Sequence, residues 1–165
     1  FDHAFTQPRQ HEAEPMVALL AIRVGDDPYA IRLNAIAGLF ADRTVTPLPG
    51  PVTELLGLAG FRGALFPVYD LRSLLGYSAG GTPRWLILAG MEARIALAFD
   101  RFEGHLLLPH AALTSTDPTH AARQHVGEIA RTADMVRPII HLPSLFDVIT
   151  SRTRHGLAHP RSTTP

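Results

Sequence analysis

A short pattern occurs twice in this chain, and it limits the possible folds more than any other feature. Residues 67–74 read PVYDLRSL and residues 138–145 read PIIHLPSL. Each copy places a proline in an apolar strand that leads into a short helix. A unit of roughly 70 residues is marginal alone, because small domains bury too little of their surface. The 165-residue chain is therefore predicted to contain two similar units packed against each other.

The first copy carries clear local signals. Arg62 and Gly63 form a hairpin turn in which the glycine takes a positive φ. Pro67 lacks an N–H, which predicts an edge or bulged strand at that point. Asp70 is a good N-cap for a helix over residues 71–75. These features explain the pattern by local structure, without any chemistry.

Short apolar segments separated by Gly and Pro continue on both sides of this copy. They predict a hairpin over residues 17–33, a three-strand meander over 85–108, a second hairpin over 129–142 and a closing helix over 143–149. Residues 34–40 fit a helix or a strand. Nine or ten short strands with few helices favour small barrels or a sandwich, and the repeat favours two small barrels.

Composition excludes several classes of function. The 15 basic residues, all Arg, balance 15 acidic residues, so the chain lacks the basic surface of a nucleic-acid binder. Without Cys there are no disulfides or thiolate metal sites. The nine His show no HxH or HExxH spacing, and His120 and His125 are five residues apart, so no metal site is predicted. No apolar run reaches the ~18 residues of a membrane span.

An enzyme is not predicted either. The sequence contains no glycine-rich phosphate loop, nucleophile elbow or closely spaced acid pair that would support catalysis, and no cofactor is expected. The rival from another class is a small-barrel nucleic-acid binder, which needs exposed aromatic residues in a basic groove. Here the aromatic residues lie among aliphatic ones.

Three segments in order resemble the CheW-like domain: TPLPGP from Thr46, GLAGFRGALFPVYDLR over residues 57–72, and MVRPIIHLPSLF over 135–146. That family includes the coupling adaptor of bacterial chemotaxis arrays and the regulatory domain of the CheA histidine kinase. The resemblance implies a mainly β fold of two intertwined five-stranded SH3-like barrels that share a core, with short helices and no catalytic residues. The domain is expected over residues 16–150, between a flexible segment (1–15) and a disordered tail (151–165).

The resemblance also implies two partners, the regulatory domain of a CheA-type kinase and the cytoplasmic tip of a chemoreceptor. Kinase contacts are expected on the first barrel, at Val45, Leu48, Phe61 and Leu65. Receptor contacts are expected in the groove between the barrels, at Leu33, Ile36, Gly38, Leu39 and Arg62. The structural motif is expected at Gly63, Pro67, Asp70 and Pro138. From the residues alone, a solvated turn explains Arg62 better than a partner contact, and Leu33, Ile36 and Leu39 fit a core better than an interface; the resemblance brings the two interpretations of Arg62 close to even.

The chain departs from the family pattern at three places. Gly60 and Phe61 replace Asn-Leu, Gly38 lies where an acid is usual, and His141 replaces an Asp. A missing carboxylate removes a charge-assisted hydrogen bond, so receptor coupling is predicted to be weaker or differently specified than kinase binding. Arg62→Asp is expected to abolish receptor recruitment and spare the kinase.

The expected location is the cytoplasm, at arrays of membrane-bound receptors. The chain begins with Phe1 rather than Met. An alternative therefore stays open, in which this is a CheW-like domain from a larger protein, such as a kinase regulatory domain or a divergent polar or motility scaffold.

Overall fold

The described residues form twelve short strands and two α-helices. A computed structural model describes residues 14–78, 80–89, 94–116 and 125–157, with side chains to residue 152. The strands are β1 (Met16–Val24), β2 (Asp27–Arg32), β3 (Ile36–Ala41), β4 (Thr46–Pro47), β5 (Leu55–Phe61), β6 (Ala64–Asp70), β7 (Trp85–Ala89), β8 (Ile95–Phe99), β9 (Arg101–Pro109), β10 (Leu113–Ser115), β11 (Val126–Arg131) and β12 (Val136–Ile140). The helices are α1 (Leu71–Leu74) and α2 (Leu142–Leu157).

These strands assemble into two six-stranded sheets. The central sheet has the order β3-β7-β8-β6-β5-β4, and the terminal sheet has the order β10-β11-β12-β2-β1-β9. The chain leaves the terminal sheet through a 3-10 turn, Leu33–Ala35, and returns to it at Asp100, between β8 and β9. The two sheets are therefore intertwined through the path of the chain. Each has six strands where the resemblance implied five, because the short strands β4 and β10 extend one edge of each sheet.

The repeat seen in the sequence is present in the strand pairing. β6 lies between an antiparallel partner, β5, and a parallel partner, β8, and β12 lies in the same way between β11 and β2. The residue after each repeat proline pairs with an alanine on the parallel strand: Val68 with Ala96, and Ile139 with Ala30. The two copies therefore occupy equivalent positions in the two sheets.

The repeat prolines lie where a missing N–H costs little. Pro67 pairs with Leu58 on β5, and the pairing of β6 with β8 begins only one residue later. Pro138 pairs with Ile129 on β11, and its contact with β2 also begins one residue later. On each antiparallel partner the register shifts next to this position. The sequence predicted an edge or a bulge at Pro67: the strand is locally unpaired on the β8 side at this residue, and the register shift lies opposite the next two residues, Val68 and Tyr69.

The helix after the first copy begins at Leu71 as predicted and ends at Leu74, one residue earlier than predicted. Asp70 caps α1, accepting a hydrogen bond from the Arg72 backbone N–H at 3.1 Å and one from the Ser73 hydroxyl at 3.0 Å. Gly76, with a φ of 88°, follows the last turn of the helix. A side-chain acceptor at the N-cap satisfies backbone donors that the helix itself leaves unpaired.

Three apolar clusters fill the fold. A shared cluster lies between the sheets and takes side chains from both sheets and both helices. The central sheet has its own cluster, formed by Ala59, Phe61, Val68, Leu86, Leu88, Ala96 and Ala98. The terminal sheet has its own, formed by Leu19, Ala30, Ala130 and Ile139. In β1, Leu19 joins the terminal cluster and Leu20 the shared one, because successive side chains in a strand point to opposite faces.

The central sheet is strongly curled. The rings of Phe40 on β3 and Phe61 on β5 have centroids 4.9 Å apart. In the sheet order these two strands are separated by β7, β8 and β6. Their side chains meet only because the sheet bends round toward itself, which encloses the central cluster.

Two predicted elements differ from the structure. The meander over residues 85–108 is wrong, since β9 pairs with β1 in the other sheet, where Leu107 lies opposite Ala18. The closing helix does not end at residue 149. α2 continues to Leu157, so residues 151–157 of the predicted tail are helical. Part of that extension is supported by an ion pair between Arg152 on α2 and Glu54 near the start of β5.

Several predictions lie outside the described residues. These are the flexible segment up to residue 13, the part of the meander at residues 90–93, the position of His120, and the tail from residue 158 onward.

Candidate interaction surfaces

Exposed apolar side chains are the main candidates for partner contacts. On soluble proteins, clusters of such residues mark interaction sites more often than isolated ones do. Among the described residues, the exposed large apolar side chains are Met16, Leu33, Leu48, Leu65, Leu107 and Val136. The strand pairing shows which of these lie together.

The first cluster lies where the chain crosses between the sheets. Leu107 on β9 pairs directly with Ala18 on β1, so their side chains share a face, and Met16 lies two residues along the same strand. Leu33 follows the residue that pairs with Leu19 on the other side of β1. Met16, Leu33 and Leu107 are 50%, 38% and 64% exposed. We call these three residues, with Ala18 among them, the crossover patch.

A shallow groove runs along the crossover patch. Its volume is about 390 Å³, and its walls include Met16, Ala18 and Leu33, with Arg32 and Asn34 as the polar residues. An ion pair with Glu128, at 2.7 Å, holds the Arg32 guanidinium in place. The groove therefore offers an apolar floor with a fixed polar rim.

The structure does not bring the five predicted receptor residues into one surface. Leu33 is exposed, whereas Ile36 and Leu39 are half-buried and pack against the shared cluster. Gly38 has no room for a free side chain, because a Cβ there would lie 2.8 Å from the Phe40 ring. Arg62 lies at the β5–β6 turn, next to the residue whose ring contacts Phe40.

Arg62 and Leu33 thus lie near opposite ends of β3: Leu33 precedes the start of the strand, and Arg62 follows Phe61, which contacts Phe40 near its end. The strand rises about 3.3 Å per residue, so the start of β3 and Phe40 are separated by roughly 13 Å. The structure favours grouping Arg62 with the β5–β6 hairpin. Arg62 has a φ of 49° and Gly63 a φ of 79°, as in a type I′ turn. A non-glycine residue with positive φ is strained, and such strain is often kept where the side chain has a function.

The second group of exposed apolar residues lies along the β5–β6 hairpin and the neighbouring chain, with Leu65 near the turn and Leu48 toward the opposite end of β5. Leu65 is 69% exposed and pairs with Gly60, which is also exposed. Leu48, 40% exposed, follows β4 directly. Val45 precedes β4 and is half-buried against the central cluster. We call Leu48 and Leu65, together with the turn residue Arg62, the hairpin face.

Phe61 does not belong to this surface. It is only 2% exposed, and its ring packs against Phe40 and, at 5.6 Å, against Phe66. The expectation of a surface position is therefore wrong. The reason is strand alternation: Ala59 and Phe61 point to the same face of β5, and that face is the interior of the curled sheet.

Arg43 is a surface residue that the sequence did not single out. Its guanidinium carbon lies 4.8 Å from the centre of the Phe40 ring and 5.3 Å from that of Phe61, within cation–π range. Arg43 therefore covers one end of the central cluster. No pattern in the sequence predicts this contact, because it exists only when β3 and β5 are brought together by the curl.

A groove of about 510 Å³ lies beside Arg43 and Val45. Its other walls are Pro47 on β4 and the segment from Gly80 to Pro83. The groove adjoins the residues that flank β4, so it extends the surface available next to the hairpin face.

A partly buried charged network around Arg137 joins four strands of the terminal sheet. Arg137 on β12 is buried and donates hydrogen bonds to the carbonyls of Ile22 and Tyr29 and, at 2.8 Å, to Glu103. Glu103 also accepts a hydrogen bond from Arg23 at 3.0 Å. Burial opposes ionisation of Glu103, but hydrogen bonds and charge from the two arginines outweigh it and lower the pKa of this carboxyl. The network joins β1, β2, β9 and β12.

Within residues 14–78, 80–89, 94–116 and 125–157, no three His, Asp or Glu side chains are grouped as metal ligands. In the same part of the chain, helices long and apolar enough to span a bilayer are absent. The exposed apolar side chains of the crossover patch and the hairpin face are available for non-covalent contacts.

Comparison with known proteins gives a consistent result. Residues 18–151 match the model of the CheW-like domain family. The chain is 33% identical over 79 residues to the chemotaxis protein CheW of Rhizobium meliloti. This match covers 47% of this chain and 51% of that protein. It is 29% identical over 77 residues to a probable chemotaxis protein CheW of Rhizobium etli, covering 46% and 50%. These matches span about half the length of each curated relative.

A solved structure shows the same fold. The scaffolding protein TtCheW from Thermoanaerobacter tengcongensis superposes with a TM-score of 0.69 at 18% sequence identity, over 76% of this chain and 89% of that one. At this identity the likeness concerns the fold.

Proposed function

The chain belongs to the CheW-like domain family of chemotaxis scaffold proteins, and from this premise we propose that it couples chemoreceptors to a CheA-type histidine kinase. In this role it catalyses no reaction and needs no cofactor. It binds the regulatory domain of the kinase with one surface and the cytoplasmic tip of a receptor with another. It acts in the cytoplasm, at arrays of membrane-bound receptors.

One observation carries the proposal. Two separate exposed apolar surfaces, the crossover patch and the hairpin face, lie on sheets that share a single core. An adaptor needs two independent contact surfaces on one body. A body with a continuous core transmits a displacement at one surface to the other, whereas two loosely linked domains would not.

The shapes of the surfaces suggest which partner each one binds. The crossover patch borders a groove with an apolar floor, which suits the apolar face of a helical hairpin such as a receptor tip. The hairpin face is exposed, with Leu65 on one strand and Leu48 beside β4, which suits docking against another compact domain. We assign the receptor to the crossover patch and the kinase to the hairpin face.

The coupling is thermodynamic. A receptor conformation that binds the crossover patch more tightly biases the orientation of the bound kinase, and the bias is limited by that difference in affinity. Each surface has at most three exposed large apolar side chains among the described residues, few for the ~800 Å² per partner of a standard interface. Repetition of receptors and kinases in an array makes binding multivalent, which raises the overall affinity without new contacts.

Introducing a negative charge at each surface tests the assignment. We expect Leu65→Asp to weaken capture of the kinase regulatory domain by roughly 30-fold or more, since truncating an interface anchor costs ~2 kcal/mol or more. We expect Leu107→Asp to weaken co-sedimentation with receptor-containing membranes and to leave kinase capture unchanged. Both residues are exposed, so neither substitution should lower Tm by more than a few degrees.

Val136→Asp is the matched control. Val136 lies two residues before Pro138, as Leu65 lies two before Pro67, and it is 44% exposed on the hairpin of the other sheet. The control should keep both partners. If Val136→Asp weakens kinase capture as much as Leu65→Asp does, the kinase does not dock specifically on the central sheet. If Leu65→Asp leaves kinase capture unchanged, the hairpin face is not the kinase-binding surface.

A further inference from the structure

A cluster of two histidines and a serine holds the start of α2. The Ser144 backbone N–H donates to Nδ1 of His141 at 3.3 Å, and its hydroxyl donates to the His141 carbonyl at 2.9 Å. The same hydroxyl oxygen lies 2.8 Å from Nδ1 of His125. The His141 backbone N–H donates to the His125 carbonyl at 2.7 Å. The chain before β11 and the start of α2 are therefore fastened together by this cluster.

His141 replaces the cap used in the first copy of the repeat. Asp70 caps α1 through the backbone N–H two residues later. In the second copy that position is Pro143, which has no N–H, so His141 bonds to the next donor, Ser144. A carboxylate remains an acceptor at mildly acidic pH. A histidine Nδ1 is an acceptor only while it carries no proton.

The surroundings favour a neutral imidazole at His125, which is half-buried, whereas His141 is exposed. Burial and, secondarily, the charge of His141 lower the pKa of His125. Arg32 on β2 and Glu128 on β11 line the adjoining cavity of about 450 Å³ together with His141, and they bind each other at 2.7 Å. The carboxylate in this cavity is thus already neutralised by an arginine. The N-terminus of a helix also disfavours a cation.

We propose that His125, His141 and Ser144 form a pH-sensitive clasp that fixes the N-terminus of α2 near neutral pH and releases it on acidification. Protonation of His141 at Nδ1 removes the acceptor for the Ser144 N–H. It also places a cation at the positive end of the helix. Because His125 has a lowered pKa in the folded chain, the unfolded chain takes up protons first as the pH falls below the usual histidine range of about 6.5. Both effects reduce stability as the pH falls.

Release of the clasp reaches both sheets. α2 contributes Leu142, Leu145 and Ile149 to the shared cluster, and Arg152 further along it pairs with Glu54 next to the central sheet. Loosening the first turn of α2 therefore weakens contacts that hold the two sheets as one body. The clasp acts on the fold and does not depend on which partners the chain binds.

Measuring Tm as a function of pH tests the clasp. The His141→Asp variant serves as the comparison, because it replaces the histidine cap by a carboxylate that stays ionised between pH 7.5 and 5.5. We expect the unaltered chain to lose about 2–4 °C more in Tm than His141→Asp between pH 7.5 and 5.5, which corresponds to loss of one helix cap. His110→Gln is the control, because His110 is exposed on a separate 3-10 turn, and it should keep the pH dependence of the unaltered chain. Equal pH dependence in the unaltered chain and His141→Asp would overturn the proposal.

A second measurement uses the unaltered chain, so that it stands even if a variant fails to fold. In an NMR titration, the His141 ring should carry its proton on Nε2 at pH 7.5. The Ser144 amide resonance should shift with the same midpoint as that ring. A proton on Nδ1 at pH 7.5, or a Ser144 amide that does not respond to the titration, would contradict the clasp.

Discussion

Substituting Gly57 by alanine should detach β4, and with it Leu48 of the hairpin face, from β5. Gly57 pairs with Pro47 on one side and with Val68 on the other, so it lies between β4 and β6. An added Cβ would lie 2.0 Å from the carbonyl oxygen of Thr46 and 2.9 Å from the Cα of Pro47. Both of these neighbours are backbone atoms, which cannot rotate away. The least costly response is that β4 detaches from β5.

The size of the effect has two sources, the pairing of β4 and the backbone angle of Gly57. β4 pairs with β5 at only two positions, so detachment costs about two backbone hydrogen bonds of ~1 kcal/mol each. Gly57 has a φ of 154°, and a non-glycine residue in that region costs about 1–3 kcal/mol. The sum is about 3–5 kcal/mol. For a chain of this size that lowers Tm by roughly 6–20 °C.

Gly60→Ala is the matched control on the same strand. No atom lies within 4 Å of a Cβ at Gly60, so its Tm should change by no more than a few degrees. Because Leu48 follows β4 directly, Gly57→Ala should also weaken capture of the kinase regulatory domain by roughly 30-fold, while receptor co-sedimentation persists below the melting range. If the Gly57→Ala and Gly60→Ala variants have the same Tm and bind the kinase equally well, β4 does not approach Gly57 closely in the folded chain.

Three further outcomes are expected. Phe61→Ala should lower the free energy of unfolding by about 3–5 kcal/mol, because Phe61 is buried in the central cluster. A near-normal Tm would show that Phe61 is a surface residue after all. Arg137→Met should lower Tm by roughly 5–10 °C, because it breaks a buried pair with Glu103. A double-mutant cycle with Glu103→Gln should give a coupling energy above ~1 kcal/mol, whereas additive effects would show that the two side chains are not coupled. Because the pKa of Glu103 is lowered in the folded chain, its ionised carboxylate stabilises the fold at pH values above about 4.5, the pKa in the unfolded chain, and this contribution is lost as the pH falls further. Glu103→Gln should therefore reduce the dependence of Tm on pH between about pH 5 and 3. An unchanged slope would contradict the lowered pKa.

Local signals in the sequence predicted the parts of the fold that depend on a few adjacent residues. The turn at Arg62 and Gly63, the open edge at Pro67 and the cap at Asp70 each follow from the chemistry of one or two side chains. The repeat extended the same reasoning to Pro138. These features need no knowledge of which strands become neighbours.

Features that depend on distant pairing were not predictable in this way. β9 follows β8 after one residue, which resembles a tight hairpin, yet it pairs with β1. The crossover patch exists only because of that pairing, which is why Met16 and Leu107 gave no signal in the sequence although Leu33 did. Phe61 was misplaced because its face depends on which side of β5 becomes the interior once the sheet curls.

The receptor and kinase assignments for individual residues stay predictions. The structure changes their grouping by placing Arg62 with the hairpin face, so Arg62→Asp should weaken kinase capture more than receptor recruitment. The reverse order would restore the assignment of Arg62 to the receptor groove.

A bridging experiment tests the central claim most directly, namely that one chain binds kinase and receptor at the same time through separate surfaces. The kinase regulatory domain should sediment with receptor-containing membranes only when this chain is present. Leu65→Asp and Leu107→Asp should each abolish that bridging, and an equal mixture of the two variants should not restore it, because the two surfaces must lie on the same molecule. Sedimentation of the kinase domain with the mixture at the level given by the unaltered chain would contradict the two-surface adaptor.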